Sequence, residues 1–267
     1  MGQSFPHAHA GIIYNSGMSN PPTFPNGAHC AVSLTYDDGL ASHFEDVGPT
    51  LEACGLRGTF NITIARDSVL NHAAEWRALA ARGHELGNHS LFHPCRSTPE
   101  APMAWVGPYN LLDYNERRLR EELAVASMTL NLIDGRSERT YANTCWHRTI
   151  GQGSEERPIE PILAELFIAA RGTLTHAPVD LEHLDYLRLG SASADRRTFA
   201  DLRTEMEAVL HSGGWQIYTM HGVGQGTHNI FIEYEEHRRF VEWLGQNQAQ
   251  GRLWAAPMID VVKFLKQ

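Results

Sequence analysis

The chain has 267 residues, of which 42% are hydrophobic and 20% are charged, and its formal net charge at pH 7 is −9. A chain of this size and composition can form a large globular core without disulfides, and its acidic balance argues against binding to nucleic acid or to anionic lipid. No stretch reaches the ~18 apolar residues of a membrane span. From the acidic charge and the lack of such a stretch, we expect neither a nucleic-acid nor a membrane partner.

The first 29 residues are rich in Pro, Gly, Asn and Ser, which predicts an irregular N-terminal arm (1–29) before a single domain (30–267). Residues 1–14 contain two histidines and lack a long apolar stretch, unlike a secretory signal peptide. We therefore expect a cytoplasmic protein. The alternative is a secreted form whose signal has been removed.

After the arm, apolar runs alternate with helical patterns. This alternation predicts one α/β domain around a parallel sheet or barrel, in which reacting groups sit at the carboxyl ends of the strands. Strands are predicted at residues 30–36, 58–63, 84–89, 139–143, 186–189, 215–220 and 253–255, and helices at 43–53, 73–81, 110–132, 160–170, 199–211, 234–246 and 259–265.

The four cysteines are Cys30, Cys54, Cys95 and Cys145. They form no C-x-x-C pair and no zinc-finger spacing. We expect four free thiols, most of them buried.

Two adjacent carboxylates, Asp37 and Asp38, follow the first predicted strand and precede Gly39. Neighbouring side chains point in different directions, so one carboxylate can bind a metal while the other accepts a proton. The structural alternative is a turn or a helix N-cap, where Asp-Asp-Gly is common.

His89 and His93 are four residues apart, which places them on one face of a helical turn that Pro94 keeps short. Two imidazoles with a carboxylate suit Zn²⁺, with Co²⁺ or another first-row metal as alternatives. In a chain with 15 histidines, chance spacing is the competing explanation. His221 follows the predicted strand 215–220, a position for either an acid–base group or a structural histidine.

In this order, residues 35–39, 89–93 and 219–221 resemble three motifs of the polysaccharide deacetylase (NodB-homology) family, written T-F-D-D-G, H-[ST]-x-x-H and L-x-H. Residues 83–88 resemble the family's G-H-E-[IL]-G-N. The resemblance runs from residue 30 to the C-terminus and implies a distorted (β/α) barrel with fewer than eight regular units.

The resemblance implies a hydrolase that removes an acyl group from a carbohydrate or a related small molecule. An N-acetyl group is the favoured acyl group. Asp38, His89 and His93 would hold a divalent metal. Asp37 would be the general base, and His221 the general acid for the leaving amine or alkoxide.

The third motif departs from the family pattern. The family has R-x-P-[YF] or Y-P-[YFC]-G, and residues 140–146 contain neither the Pro nor the leading Arg. We expect a backbone N–H of Cys145 or Trp146 to stabilise the oxyanion, since a backbone donor needs no particular side chain. Arg148 and the adjacent His147 would replace the missing polar contacts to the substrate. Residues 185–188, which begin with Asp185, are a weak match to the fourth motif.

Three alternatives stay open. Relatives on this fold hydrolyse cyclic amides and ureides such as allantoin or imides, or remove a formyl group, and the altered third motif favours that branch. The chain could also be a non-catalytic carbohydrate-binding protein, although the intact Asp-Asp and His-x-x-x-His set speaks against a decayed site. The sequence leaves the substrate, the metal and the oligomeric state open.

Overall fold

Eight parallel strands form the main sheet of residues 22–267, the part of the chain that this computed structural model describes. The strand order is β12-β1-β2-β3-β4-β7-β8-β9, and β9 also pairs with β1. Seven of these strands therefore close into a barrel, with β12 added beside β1. This confirms the predicted distorted (β/α) barrel.

The strands are β1 (Cys30–Tyr36), β2 (Thr59–Ile62), β3 (Glu85–Asn88), β4 (Thr140–Ala142), β5 (Thr149–Ile150), β6 (Arg157–Pro158), β7 (Ala169–Leu174), β8 (Leu189–Ser193), β9 (Gly214–Met220), β10 (Gly222–Val223), β11 (Phe231–Ile232) and β12 (Leu253–Ala255). The helices are α1 (Gly48–Ala53), α2 (Asp67–Leu70), α3 (Ala73–Ala81), α4 (Glu116–Asp134), α5 (Glu160–Leu166), α6 (Phe199–Ser212), α7 (Tyr234–Ala249) and α8 (Met258–Leu265).

Strand β1 pairs with three other strands of the sheet, and all seven of its residues are buried. Its apolar and β-branched run is typical of a parallel strand that is covered on both faces. It pairs with β9 along its whole length, whereas its other edge pairs first with β12 and then with β2. This change of partner distorts the barrel and places the end of β1 between β2 and β9.

The chain between residues 160 and 193 differs from the prediction. Helix α5 ends at Leu166, and residues 169–174, of which the first two were assigned to that helix, form strand β7. The next strand, predicted at 186–189, lies at Leu189–Ser193. Ala169 and Ala170 extend the helical pattern in the sequence. In the structure both are buried in the sheet between β4 and β8, and this environment favours a strand.

The predicted N-terminal arm lies largely outside the described residues. Of its described part, Phe24 is buried and its ring lies 5.6 Å from that of Phe264 and 6.2 Å from that of Trp254. The division into residues 1–29 and 30–267 stays a prediction. Within residues 22–267, no helix combines the length and the apolarity that a membrane crossing needs.

The floor of the barrel is tied together by the buried carboxylate of Glu85 at the start of β3. It accepts hydrogen bonds from the hydroxyls of Thr59 and Thr140 and from the backbone N–H of Ile259. One side chain thus joins β2, β3, β4 and α8, which gives the glutamate of the G-H-E-[IL]-G-N segment a structural role.

We predict that Glu85→Ala lowers the free energy of unfolding by about 3 kcal/mol, because three buried donors lose their acceptor. Glu85→Gln keeps an acceptor and loses less. Urea unfolding followed by circular dichroism measures both, with the exposed Glu45→Ala as the control. Equal stability of Glu85→Ala and Glu45→Ala would contradict this role.

Candidate active site

The predicted catalytic and metal-binding residues meet at the carboxyl end of the barrel. Asp37 and Asp38 follow β1, His89 follows β3, and His221 follows β9. The Asp37 N–H donates to the Met220 carbonyl at 2.8 Å, which joins the ends of β1 and β9 directly.

Asp38, His89 and His93 form a cluster whose ligand atoms all lie within 4.8 Å of one another. The Asp38 Oδ1 lies 3.2 Å from the His93 Nε2 and 3.7 Å from the His89 Nε2. This oxygen is buried, and within the described residues it has no hydrogen-bond partner. A buried carboxylate oxygen without a donor indicates a position for a cation.

The two imidazoles fit a metal as well. The His89 Nδ1 pairs with the Ala142 carbonyl at 2.8 Å, which fixes the proton on Nδ1 and leaves the Nε2 lone pair for a metal. Burial lowers the pKa of His89 to about 4, so its ring is neutral at pH 7. One carboxylate and two imidazoles are the kinds of ligand that an open zinc site uses.

The second oxygen of Asp38 faces two residues that the sequence did not indicate. Its Oδ2 lies 3.3 Å from the His228 Nε2 and 3.5 Å from the Arg66 guanidinium. Burial acts to raise the pKa of Asp38, but His93 and His89 hold it well below its usual range. The carboxylate is therefore ionised, with Oδ1 directed to the two imidazoles and Oδ2 to the rim.

Asp37 is held by a buried ion pair. Arg171 Nη2 lies 2.6 Å from the Asp37 Oδ1 and 2.5 Å from its Oδ2, and Asn61 donates to Oδ1 at 2.8 Å. Burial acts to raise the pKa of this carboxyl, but the Arg171 guanidinium, the neighbouring His221 and the Asn61 hydrogen bond hold it at about 2. Asp37 is thus ionised across the neutral pH range and fixed in orientation.

Arg171 is the principal residue that the sequence analysis missed. It is fully buried in β7, donates to the Thr219 hydroxyl, and lies with its guanidinium 4.8 Å from the centre of the Trp146 ring. The segment around it was assigned to a helix, so nothing placed it at the site. The third motif lacks its arginine, and the neighbouring strand supplies a guanidinium at the same end of the barrel.

His221 is oriented by a carboxylate that the sequence analysis also missed. The His221 Nδ1 lies 2.8 Å from the Asp195 Oδ2, and the His221 backbone N–H donates to the Asp195 Oδ1 at 3.0 Å. The His221 ring stacks on the His228 ring, with 5.4 Å between the ring centres. Burial acts to lower the pKa of His221, but Asp195, Asp37 and Asp38 raise it to about 9. Asp185, in the weak match to the fourth motif, is exposed and lies 3.6 Å from Arg188.

The segment that replaces the third motif turns back on itself. Cys145 and Trp146 both have positive φ angles, of 51° and 61°, and the Trp146 N–H donates to the Asn143 carbonyl within the turn. Cys145 is therefore the better of the two predicted oxyanion donors. Arg148 is engaged by Glu160 of α5 at 2.7 Å, so its predicted substrate contact stays a prediction.

The expectation of four free thiols was wrong, because Cys95 and Cys145 form a disulfide. The two cysteines are fifty residues apart in the sequence, so their spacing does not indicate a disulfide. They come together because each follows the carboxyl end of a strand, and β3 and β4 are neighbours in the barrel. The bond links the turn of His93 to the turn of Trp146.

Unusual backbone conformations gather at the same end of the barrel. Of the seven described non-glycine residues with positive φ, six lie next to the residues above, namely Asp38, Ser90, His93, Cys145, Trp146 and Arg196. Such conformations cost free energy and persist only where surrounding contacts enforce them. Their concentration here agrees with the predicted position of the site at this end of the barrel.

Comparison with known proteins agrees with this location. Residues 26–145 match the sequence model of the polysaccharide deacetylase family, a segment that contains Asp37, Asp38, His89, His93 and Cys145. The match supports the predicted resemblance to this family for these 120 residues, which are less than half of the chain. His221 and Asp195 lie beyond the matched residues.

Solved structures share the fold. A protein from Mycobacterium smegmatis assigned to the polysaccharide deacetylases superposes with a TM-score of 0.61, at 18% identity over 92% of this chain and 93% of that one. A family 4 carbohydrate esterase from Streptomyces lividans, solved with acetate, gives a TM-score of 0.52, at 15% identity over 87% of this chain and 94% of that one.

A gellan lyase from a Bacillus species is 28% identical over 163 residues, which are 61% of this chain. The matched part is 6% of that protein's length. The similarity therefore concerns one segment of a much longer protein.

We predict that the His221 ring titrates with a pKa of about 9 and that Asp195→Asn lowers this value, because the neutral amide no longer stabilises the imidazolium. The raised pKa stabilises the fold fully below the unfolded pKa of about 6.5, and this stabilisation is lost as the pH rises through about 9. A pH titration of the ring resonances by NMR measures the shift. Asp180→Asn, which removes the exposed partner of His183, is the control. An unchanged His221 pKa in Asp195→Asn would refute the assignment.

Proposed function

We propose that this chain, whose residues 26–145 belong to the polysaccharide deacetylase family, is a metal-dependent hydrolase that removes an acetyl group from an N-acetylated carbohydrate. The observation that carries the proposal is the buried, unpartnered Oδ1 of Asp38, faced by the Nε2 atoms of His89 and His93 and adjacent to the ionised Asp37.

Asp38, His89 and His93 would hold the metal. Nitrogen and oxygen ligands of this kind suit Zn²⁺, with Co²⁺ or another first-row ion as alternatives. When bound, such an ion supplies a water of lowered pKa and polarises the acyl carbonyl. Three protein ligands leave coordination positions open for these two oxygens.

Asp37 is assigned the role of general base. It is ionised at neutral pH and therefore able to accept a proton from the attacking water. Arg171 and Asn61 keep its carboxylate in one orientation, so no rearrangement is needed when the proton arrives. The Cys145 N–H would donate to the oxyanion that forms at the acyl carbon.

His221 is assigned the role of general acid. Its pKa of about 9 keeps the ring protonated at neutral pH, and Asp195 engages Nδ1, which leaves the Nε2–H for the leaving group. An amine departs poorly without a proton, so a protonated imidazole at this position favours cleavage of an amide.

The buried guanidinium of Arg171 also supports the deacetylase over the cyclic-ureide and deformylase alternatives. Those alternatives gained support from the missing arginine of the third motif. Arg171 places a guanidinium at the same end of the barrel. The site therefore keeps an arginine, although this arginine comes from a different position in the sequence than in the third motif. The intact metal cluster likewise favours an enzyme over a purely carbohydrate-binding protein.

The disulfide bears on the compartment in which the protein works. Disulfides persist in oxidising compartments and are rare in the reducing cytoplasm. The Cys95–Cys145 bond therefore supports the secreted alternative over the cytoplasmic expectation, and we include an oxidising compartment in the proposal.

The direct test is release of acetate from a chitooligosaccharide by protein that has been stripped with a chelator and then reloaded with Zn²⁺. We predict no release after stripping, recovery on reloading, and no recovery for His93→Ala, since Asp38 and His89 alone leave the metal weakly held. His183→Ala, at an exposed histidine, should behave like the wild type. Opening of allantoin or release of formate without release of acetate would overturn the proposed substrate class, and metal-independent release would overturn the mechanism.

A further inference from the structure

His43 is a buried histidine to which the proposed function assigns no role. It is fully buried and begins the π-helical turn His43–Val47, which follows the Asp-Asp-Gly loop and leads directly into α1. Single π-helical turns are rare in proteins and are frequent at functional sites. A polar ring in a buried position requires hydrogen-bond partners for both of its nitrogens.

Both ring nitrogens of His43 contact backbone atoms of the active site. The Leu40 N–H donates to the His43 Nδ1 at 3.3 Å, and the His43 Nε2 lies 2.9 Å from the His221 carbonyl oxygen. Because a carbonyl oxygen only accepts, Nε2 carries the ring proton and Nδ1 is the acceptor. Burial lowers the pKa of His43 to about 4, so the ring is neutral at pH 7. One neutral ring therefore joins the loop after Asp38 to the main chain of His221.

The loop on one side of His43 has an unfavourable backbone conformation. Asp38 and Gly39 have φ angles of 79° and 69°. Such a conformation persists in a non-glycine residue only where surrounding contacts enforce it. Both polar atoms of the peptide bond between Gly39 and Leu40 are held, since its carbonyl accepts from the Ser68 hydroxyl and its N–H donates to His43. His43 thus helps to fix the turn that orients Asp38.

On its other side, His43 completes the anchoring of His221. Asp195 binds the ring Nδ1 and the backbone N–H of His221, and His43 binds the carbonyl of the same residue. Asp195 orients the ring, whereas His43 fixes the main chain from which the ring projects. Position matters for a general acid, because a displacement of about 1 Å can cost about a hundredfold in rate.

From these contacts we infer that His43 is a positioning residue for proton transfer. It holds the main chain of the general acid His221 at a fixed distance from the loop that carries Asp38, and it does not touch the substrate. The inference rests on the proposed function and adds to it a residue that couples the acid to the proposed metal site.

The test compares two substitutions that differ in the hydrogen bond to His221. His43→Gln keeps an N–H donor near the position of Nε2, whereas His43→Phe keeps a ring and loses both hydrogen bonds. His43→Phe lowers kcat for acetate release from a chitooligosaccharide about a hundredfold, with little change in KM. Its loss on nitrophenyl acetate is much smaller, because that leaving group needs little help from an acid. His43→Gln recovers most of the rate on the amide.

His237→Phe is the matched control. His237 is also buried, and its Nε2 lies 2.8 Å from the Tyr36 hydroxyl of β1. Urea unfolding detects a loss of stability in both Phe variants, but the ratio of amide to ester turnover falls only in His43→Phe. An unchanged ratio in His43→Phe, an equal fall in His237→Phe, or no recovery in His43→Gln overturns the positioning role.

NMR of the metal-free wild type tests the bridge without turnover. Long-range ¹H–¹⁵N spectra at pH 7 show His43 with a proton on Nε2 and none on Nδ1, and a proton on Nδ1 instead overturns the inference. Absence of acetate release by the zinc-loaded wild type, with the expected tautomer of His43 present, overturns the proposed function and leaves the bridge between the two loops established.

Discussion

Two ionised carboxylates lie side by side in a buried position at the end of β1, and the need to compensate both charges organises the rest of the site. Asp37 and Asp38 are each only 3% exposed. A buried charge without a partner costs several kcal/mol, so each carboxylate requires a nearby positive group. Asp37 obtains one from the Arg171 guanidinium.

Asp38 is compensated differently. Its outer oxygen faces Arg66 and His228, whereas its inner oxygen faces two imidazoles, of which His89 is neutral at pH 7. The inner oxygen has no hydrogen-bond partner within the described residues, and a divalent metal would provide one positive partner for it. The difference in partners would give two identical side chains the separate roles proposed for them, one in proton transfer and one in metal binding.

Closure of the barrel is what brings the partners to these carboxylates. Arg171 and Asp195 come from β7 and from the end of β8, more than a hundred residues after β1 in the sequence. Pairing of β9 with β1 places these late strands beside the early ones. The site thus depends on long-range strand pairing, while the residues proposed to act on the substrate belong to short segments at strand ends.

The sequence predicted the parts of this arrangement that local pattern encodes. Asp37, Asp38, His89, His93 and His221 each lie at or near the end of an apolar run, and their order resembles the family motifs. Arg171 escaped prediction because Ala169 and Ala170 continue a helical pattern, and because a buried arginine inside a strand runs against composition. Asp195 escaped because the strand before it was predicted at 186–189, whereas it lies at Leu189–Ser193. The Cys95–Cys145 bond also depends on which strands become neighbours, and spacing alone does not show it.

The central claim is that the two adjacent carboxylates have separate roles, and metal content measured together with turnover tests it most directly. Asp37→Asn and Asp38→Asn are each prepared with Zn²⁺ and analysed by elemental analysis and by acetate release, with circular dichroism to verify the fold. The account predicts that Asp37→Asn keeps about one metal per chain and loses at least about a hundredfold in rate, whereas Asp38→Asn loses the metal. Loss of metal in Asp37→Asn, or full turnover in either variant, would contradict it.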